Sequence, residues 1–348
     1  VRALVLADYH RLDLVERPRP EPGPGEVLLR VAATGICGSD VHGYTGENGR
    51  RVPGQVMGHE SSGTIAALGE GVDGSALPVG APATFNPVIV PEEQAQRYRG
   101  REQHCPDKTV IGVAAGYQAS FAEHLLVPAR NVVLLGAAMP LHLGALIEPL
   151  AVALHAVRVG GARAGQRALV VGGGPIGQSV VLALRSAGVT DIVLSEPSAA
   201  RRELVAALGA RAVGPEDGPL AEQVRAVLGA PADLAIDAVG LSATLEGALA
   251  STALGGTVVL VGMGSPRVEL PAFAISTEER AVLGSFTYSA EDFRDAAAWV
   301  SAHPGQVMPL VSDIVPPERA QESFAALAAG EGPAGKILVR FDEQGAAA

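Results

Sequence analysis

Residues Ala168 to Gly177 read Ala-Leu-Val-Val-Gly-Gly-Gly-Pro-Ile-Gly, a short apolar run that ends in a G-x-G-x-x-G and opens into helical apolar spacing. No other stretch narrows the fold as far. Gly172 permits the tight turn after a strand, and Gly174 lets the backbone approach a pyrophosphate. Gly177 allows the helix to pack closely on that strand, with the phosphate at the positive end of its dipole. The surrounding pattern agrees. From about Glu148 helical spacing over Leu150–Val157 gives way to alternating signals. Strands are expected at Ala168–Val171, Ile192–Ser195, Leu234–Asp237 and Thr257–Val261, with helices over Ile176–Ala187, Ala199–Leu208, Leu220–Val227 and Leu241–Ala250. That alternation is the mark of βαβ units on a parallel sheet. The second of these strands ends at Glu196, 22 residues beyond Gly174, and Arg201 follows soon after. A carboxylate there accepts hydrogen bonds from a ribose 2′-hydroxyl and repels a 2′-phosphate, which favours NAD over NADP.

The 348 residues allow two domains, and 48% hydrophobic with 18% charged residues describes a chain that folds. A formal net charge of −11 disfavours nucleic acid and anionic membranes as partners. The uncharged run Ala168–Leu184 is too short and too glycine-rich for a spanning helix, so a soluble protein is expected. With two cysteines, no disulfide framework and no export signal ahead of Ala3–Leu6, the expected compartment is the cytoplasm. The first third has a β rhythm: Ala3–Leu6, Leu12–Val15, Glu26–Thr34 and Gly63–Leu68, separated by turn residues such as Pro22-Gly23-Pro24-Gly25. Beyond Gly284, helices are expected at Glu291–Ser301 and Pro317–Ala329 and a last strand at Lys336–Phe341, with Gly345–Ala348 frayed.

Two segments of that first third carry chemistry. Gly35-Ile36-Cys37-Gly38-Ser39-Asp40-Val41-His42 packs a thiol, a hydroxyl, a carboxylate and an imidazole into six positions, and Gly58-His59-Glu60 follows. Catalytic zinc takes three protein ligands from Cys, His and carboxylate and keeps one position open. Taken singly, a cysteine is a small apolar side chain and Gly-His-Glu a turn. Joined to a nucleotide fold, they read as a metal centre.

With Ile147-Glu148-Pro149-Leu150-Ala151-Val152, the glycine fingerprint and Gly284-Ser285-Phe286-Thr287-Tyr288, these segments make the chain similar to the zinc-dependent medium-chain dehydrogenases, the group of alcohol, sorbitol, threonine and 2,3-butanediol dehydrogenases. The resemblance spans nearly the whole chain. It implies an α/β protein with a GroES-like β-barrel catalytic domain over 1–150 and 286–348 and a Rossmann domain, a doubly wound parallel sheet, over 151–285. It makes Cys37 and His59 zinc ligands, with Glu60 and Glu148 competing for the third place. Asp40 orients His59, while Ser39 and His42 relay the proton. Cofactor contacts are implied for Gly172, Gly174, Pro175, Ile176, Gly177, Glu196, Arg201, Val239, Val261, Gly262, Met263, Ser285, Phe286 and Thr287, and Lys336 is assigned to the pyrophosphate.

The implied activity is transfer of a hydride between a secondary alcohol, diol or polyol and NAD, by a homotetramer or dimer. Two departures stand out. Relatives with a second, structural zinc carry four cysteines, and here Pro91, Gln94 and Arg97 stand at three of those places beside Cys105, so one zinc is expected and the lobe from Val90 to His104 needs other support. Thr287 also replaces the arginine of polyol dehydrogenases, which weakens a sorbitol-like substrate. The alternatives are a zinc-free quinone or enone reductase of the same superfamily and a nucleotide-binding protein without catalysis; retention of ligands and relay argues against both.

Overall fold

The structure is a computed structural model that describes residues 1–47, 49–115 and 118–341; the tail Gly345–Ala348 lies outside the described residues. The chain divides into two compact units, Val1–Glu148 with Ser289–Ala348, and Pro149–Tyr288. Strands and the longer helices are numbered in chain order below.

The first unit opens with an antiparallel hairpin of β1 (Arg2–Asp8) and β2 (Arg11–Glu16). Next comes β3 (Glu26–Gly35), ten residues of which only Arg30 is exposed, as a strand covered on both faces requires. Helix α1 (Gly38–Thr45) interrupts the β rhythm. This helix was not legible in the sequence, because Gly38 and Gly43 depress helical propensity; it is started by Cys37, whose backbone N–H donates to Asp40 at 3.3 Å. Then follow β4 (Glu60–Leu68), β5 (Pro82–Phe85), β6 (Val88–Ile89), β7 (Thr109–Val110), β8 (His124–Pro128) and β9 (Val132–Leu134). Leu29, Val31, Ile65, Phe85, Phe121 and Leu125 lie at the heart of the core between them.

The second unit starts in α2 (Ile147–Val159) and is built on a six-stranded sheet whose pairings are all parallel. Its elements run β10 (Arg167–Val171), α3 (Pro175–Ser186), β11 (Asp191–Ser195), α4 (Ala199–Ala207), β12 (Arg211–Val213), α5 (Leu220–Leu228), β13 (Ala232–Asp237), α6 (Ser242–Ser251), β14 (Thr252–Leu260) and β15 (Ala281–Gly284). The spatial order is β12-β11-β10-β13-β14-β15, so the winding reverses between β10 and β13, as in dinucleotide-binding sheets. The edge strands β12 and β15, three and four residues long, escape sequence reading because so few residues carry no periodicity.

Three elements of the closing segment join the first unit: α7 (Ala290–Ala302), β16 (Val311–Val315), another short strand without a sequence signal, and α8 (Ala320–Ala328). The last strand, β17 (Lys336–Arg340), pairs with β3 so that Leu338 lies opposite Gly35. One edge of β3 is thus shared, by β8 along Glu26–Arg30 and by β17 along Ala33–Gly35, while β4 runs along the other. The stretch Leu141–Val159 has the length and apolarity to cross a membrane, yet 67% of it is buried within the protein, as suits a core helix.

Candidate active site

The end of β3, the start of α1 and the start of β4 are tied together, and that brings Cys37, His59 and Glu60 to one place. Their ligand atoms lie within 4.8 Å of one another. Gly58 makes the turn into β4 with φ +100°, and a Cβ on it would stand 2.9 Å from the Phe121 backbone nitrogen, so the residue before His59 must be glycine. His59 is 5% exposed and Glu60 fully buried. Thiol, imidazole and carboxylate form a donor set that suits zinc and leaves room for a fourth ligand.

Behind His59 sits a buried charge chain. Asp40 Oδ1 is 3.5 Å from His59 Nδ1, long for a hydrogen bond and effective as a charge, which leaves Nε2 as the ring nitrogen for a metal. Burial alone raises the pKa of Asp40. His59, Arg51 and the Cys37 amide outweigh it and hold the carboxyl below its usual range. Burial likewise lowers the pKa of His59, and Asp40 and then Cys37 overcome this and lift it well above its usual value.

Arg51 gave no sign in the sequence, since nothing in Gly49-Arg50-Arg51-Val52 distinguishes it from a loop arginine. It is 1% exposed, and its Nη2 donates to both Asp40 Oδ1 and Ser39 Oγ, each at 3.1 Å. Its stem fills the space over Gly43, where a Cβ would meet Arg51 Cγ and Cδ at 2.8 Å. Ser39 and His42 stand three residues apart on α1 and so share a face. His42 is at the surface, its Nδ1 2.8 Å from Glu47 Oε2.

Lys336 departs from the expectation. Assigned above to a pyrophosphate, it has its ammonium in the first unit, 3% exposed, with Nζ 2.8 Å from Oε1 and 2.7 Å from Oε2 of Glu60 and 3.3 Å from the Ile36 carbonyl. The physical reason is charge: a buried carboxylate beside a thiol requires a cation, and β17 delivers one. Burial lowers the pKa of Lys336, but Glu60 first, then Cys37 and Glu148, bring it above the usual lysine value. Glu148, in the first turn of α2 and 8% exposed, is not in the gathered trio, although its charge reaches Lys336.

The lobe around Cys105 is held by side chains. Cys105 Sγ donates to Gln94 Oε1 at 3.3 Å, Gln94 Nε2 donates to Asp107 Oδ2 at 2.6 Å, and Arg97 and Arg101 lie 5.5 and 5.7 Å from the Tyr98 ring centre. Gln94, at one of the missing cysteine positions, thus bonds the remaining thiol.

In the second unit every other residue assigned to the cofactor falls at or just beyond the carboxyl ends of parallel strands, with Arg201 in the first turn of α4. Gly172, Gly174, Pro175, Ile176 and Gly177 follow β10, Glu196 follows β11, Val239 follows β13, Val261, Gly262 and Met263 follow β14, and Ser285, Phe286 and Thr287 follow β15. Asp237 fixes the turn at Val239, with Oδ1 accepting from the amides of Val239 at 2.8 Å and Gly240 at 3.1 Å. Thr287 has φ +49°, strained for a β-branched residue, and among the described residues the buried hydroxyls of Ser285 and Thr287 have no hydrogen-bond partner. Strain and unanswered donors at the mouth of such a sheet suit a bound ligand.

Comparison with known proteins closes the question of family. Residues 23–137 match the alcohol dehydrogenase GroES-like domain and residues 175–302 the zinc-binding dehydrogenase domain. Sorbitol dehydrogenase of Gallus gallus is 33% identical over 354 residues, covering 98% of this chain and 96% of that protein. The chain belongs to the zinc-dependent medium-chain dehydrogenase family. Among solved members, 2R,3R-butanediol dehydrogenase from Bacillus subtilis superposes with TM-score 0.88 at 29% identity, over 98% of this chain and 99% of the other. A Sinorhizobium meliloti protein described as a zinc-binding dehydrogenase and solved with NADP superposes with TM-score 0.87 at 31% identity, over 98% and 99%. This family member accordingly has the GroES-like unit and the parallel-sheet Rossmann unit that its sequence implies.

Proposed function

We propose that the chain is an NAD-linked, zinc-dependent dehydrogenase of secondary alcohols, with a small vicinal diol preferred to a long polyol. The observation that carries this reading is the gathered trio of half-buried Cys37 and buried His59 and Glu60, with Asp40 behind the imidazole. The sorbitol and butanediol dehydrogenases it resembles act on hydroxyl-bearing substrates by their names, and Thr287 offers no guanidinium to grip several hydroxyls.

Zinc, when bound, supplies the Lewis acidity that makes a substrate hydroxyl acidic near neutral pH, and NAD supplies the hydride acceptor. The protein's residues do the rest. Cys37 and His59 hold the metal, with Glu60 as the third donor and Lys336 balancing its charge. Ser39 takes the substrate proton, its Oγ held in place by Arg51, and passes it along the α1 face to His42, which returns it to water. Glu196 holds the ribose and excludes a 2′-phosphate. Side-chain bonds at Gln94 replace a second metal, and the enzyme works as a homo-oligomer in the reducing cytoplasm. One surface suited to self-association is the edge strand β15, whose Leu283 is 37% exposed and lies in the same unit as Phe273, 83% exposed; light scattering reads the state.

The deciding experiment is a panel of secondary alcohols, diols and polyols with NAD and with NADP, before and after chelation. Reduced-cofactor absorbance with NAD and a vicinal diol, lost on chelation and restored by zinc, is expected. Activity on none of the panel, or activity indifferent to chelation and to Cys37→Ala, defeats the reading.

A further inference from the structure

The fingerprint turn holds four glycines, and they are glycine for different reasons. Gly172 has φ +97°, which disfavours any side chain; a Cβ on Gly177 would collide with the Gly172 carbonyl; and a Cβ on Gly174 would meet nothing within 4 Å, the open side from which a ligand approaches. Gly173 differs from all three. Its φ is not in the left-handed region, and the place of its missing Cβ is taken by a side chain: Glu196 Cγ would lie 2.9 Å away, Cβ 3.0 Å and Oε2 3.1 Å. The atoms nearest to contact belong to the stem of Glu196 rather than to its mobile tip. Gly173 is therefore small on account of Glu196.

The contact is polar as well as steric. The Gly173 N–H donates to Glu196 Oε2 at 2.7 Å, and the Gly173 carbonyl accepts from Gln178 Nε2 at 2.8 Å, so side chains fix both sides of this one residue. The other carboxylate oxygen, Oε1, accepts from the Ser198 N–H at 2.8 Å. Glu196, 4% exposed, is thus pinned between two backbone amides. Of the two arginines that follow, Arg202 is engaged elsewhere: its Nη1 donates to the Glu196 and Pro197 carbonyls, both at 2.8 Å, and its Nη2 to Glu216 Oε1 at 2.7 Å.

We propose that Gly173 is the positioning residue for cofactor selection: the absence of its side chain, together with its amide, sets the Glu196 carboxylate flat against the phosphate-binding turn, where it meets the adenosine ribose. This rests on the dinucleotide reading above and extends it to a residue with no part in gripping phosphate. Each pinned oxygen keeps a lone pair for a ribose hydroxyl, while a 2′-phosphate meets a fixed negative charge. A methyl group at residue 173 pushes the carboxylate off its two amides and blunts the discrimination.

The test is a binding cycle, independent of turnover. Dissociation constants for NADH and NADPH are measured by fluorescence for the wild type, Gly173→Ala, Glu196→Ala and the double variant. The expected result is a clear NADH preference that falls about tenfold in Gly173→Ala, the loss of roughly one charge-assisted hydrogen bond. In the Glu196→Ala background the preference has already collapsed, and Gly173→Ala changes the ratio by less than about twofold. The same fold-change in both backgrounds, or an unchanged ratio in Gly173→Ala, overturns the proposal while leaving the cofactor reading intact. Wild-type protein that binds neither nucleotide overturns the cofactor reading and this with it. If Gly173→Ala alone fails to fold, recovery of folding in the double variant reports the same coupling, and no recovery refutes it.

Discussion

Arg51 carries two duties through one nitrogen: it neutralises Asp40, which faces the His59 imidazole, and it fixes the hydroxyl of Ser39. Asp40 is fully buried, so removing the guanidinium strands a carboxylate in a medium where isolated charge is costly. Arg51→Met is expected to lower stability by about 3 kcal/mol and to weaken zinc binding by at least about tenfold, read by chemical denaturation and by competition with a chelator. Arg51→Lys keeps the charge but not the shared nitrogen, and recovers stability more than it recovers metal affinity. The sequence singled out Cys37, His59 and Glu60, which the fold gathers, because their residue types are rare together at such short spacing. It hid Arg51, since a loop arginine becomes a buried counter-ion only through tertiary contact. Lys336 was hidden in the same way: its isolation as one of two lysines was visible, while its partner, Glu60, is 276 residues distant along the chain.

Strand registers are tied by side chains at their ends. Where β10 begins, Arg167 meets Asp233 of the neighbouring β13, with its N–H at 2.8 Å and Nε at 3.1 Å from Oδ2, and Nη2 at 2.6 Å from Oδ1. The hydrogen bond from Arg167, ahead of its charge, lowers the Asp233 pKa. The native carboxyl therefore binds its proton less readily than the unfolded one. Its contribution is present above the unfolded value of about 3.9 and is lost as pH falls through the lower folded value. Asp233→Asn is expected to cost about 1 kcal/mol at pH 7, since the pair is partly exposed, and the difference from wild type should close below about pH 4 in urea titrations. Strands such as β10 and β13 were legible in advance because buried parallel strands are continuous apolar runs. Strands β12, β15 and β16 were not, for edge strands of three to five residues are specified by what they lie beside. Helix α1 belongs with these: its cap and its contact with Arg51 hold it, against its own glycines.

Among the described residues Cys37, His59 and Glu60 are gathered as one candidate metal site, while the lobe around Cys105 is held by hydrogen bonds and ring contacts, so on the proposed one-zinc reading metal loading and the two cysteines should separate cleanly. Cys37→Ala is expected to abolish zinc binding, whereas Cys105→Ser retains about one zinc per chain, measured by elemental analysis after gel filtration. Two zincs in the wild type would contradict this. The path of the polypeptide adds a constraint on how such a protein is made. Residues 149–288 include all six strands of their sheet, but the unit encoded first lacks β17 until residues 336–340 have been made. While the ribosome is still at work, the Ala33–Gly35 edge stays open and Glu60 has no ammonium beside it. A chain cut before Lys336 keeps every strand of the parallel sheet but leaves the Ala33–Gly35 edge of β3 unpaired, a finished nucleotide unit beside a sticky, half-built partner.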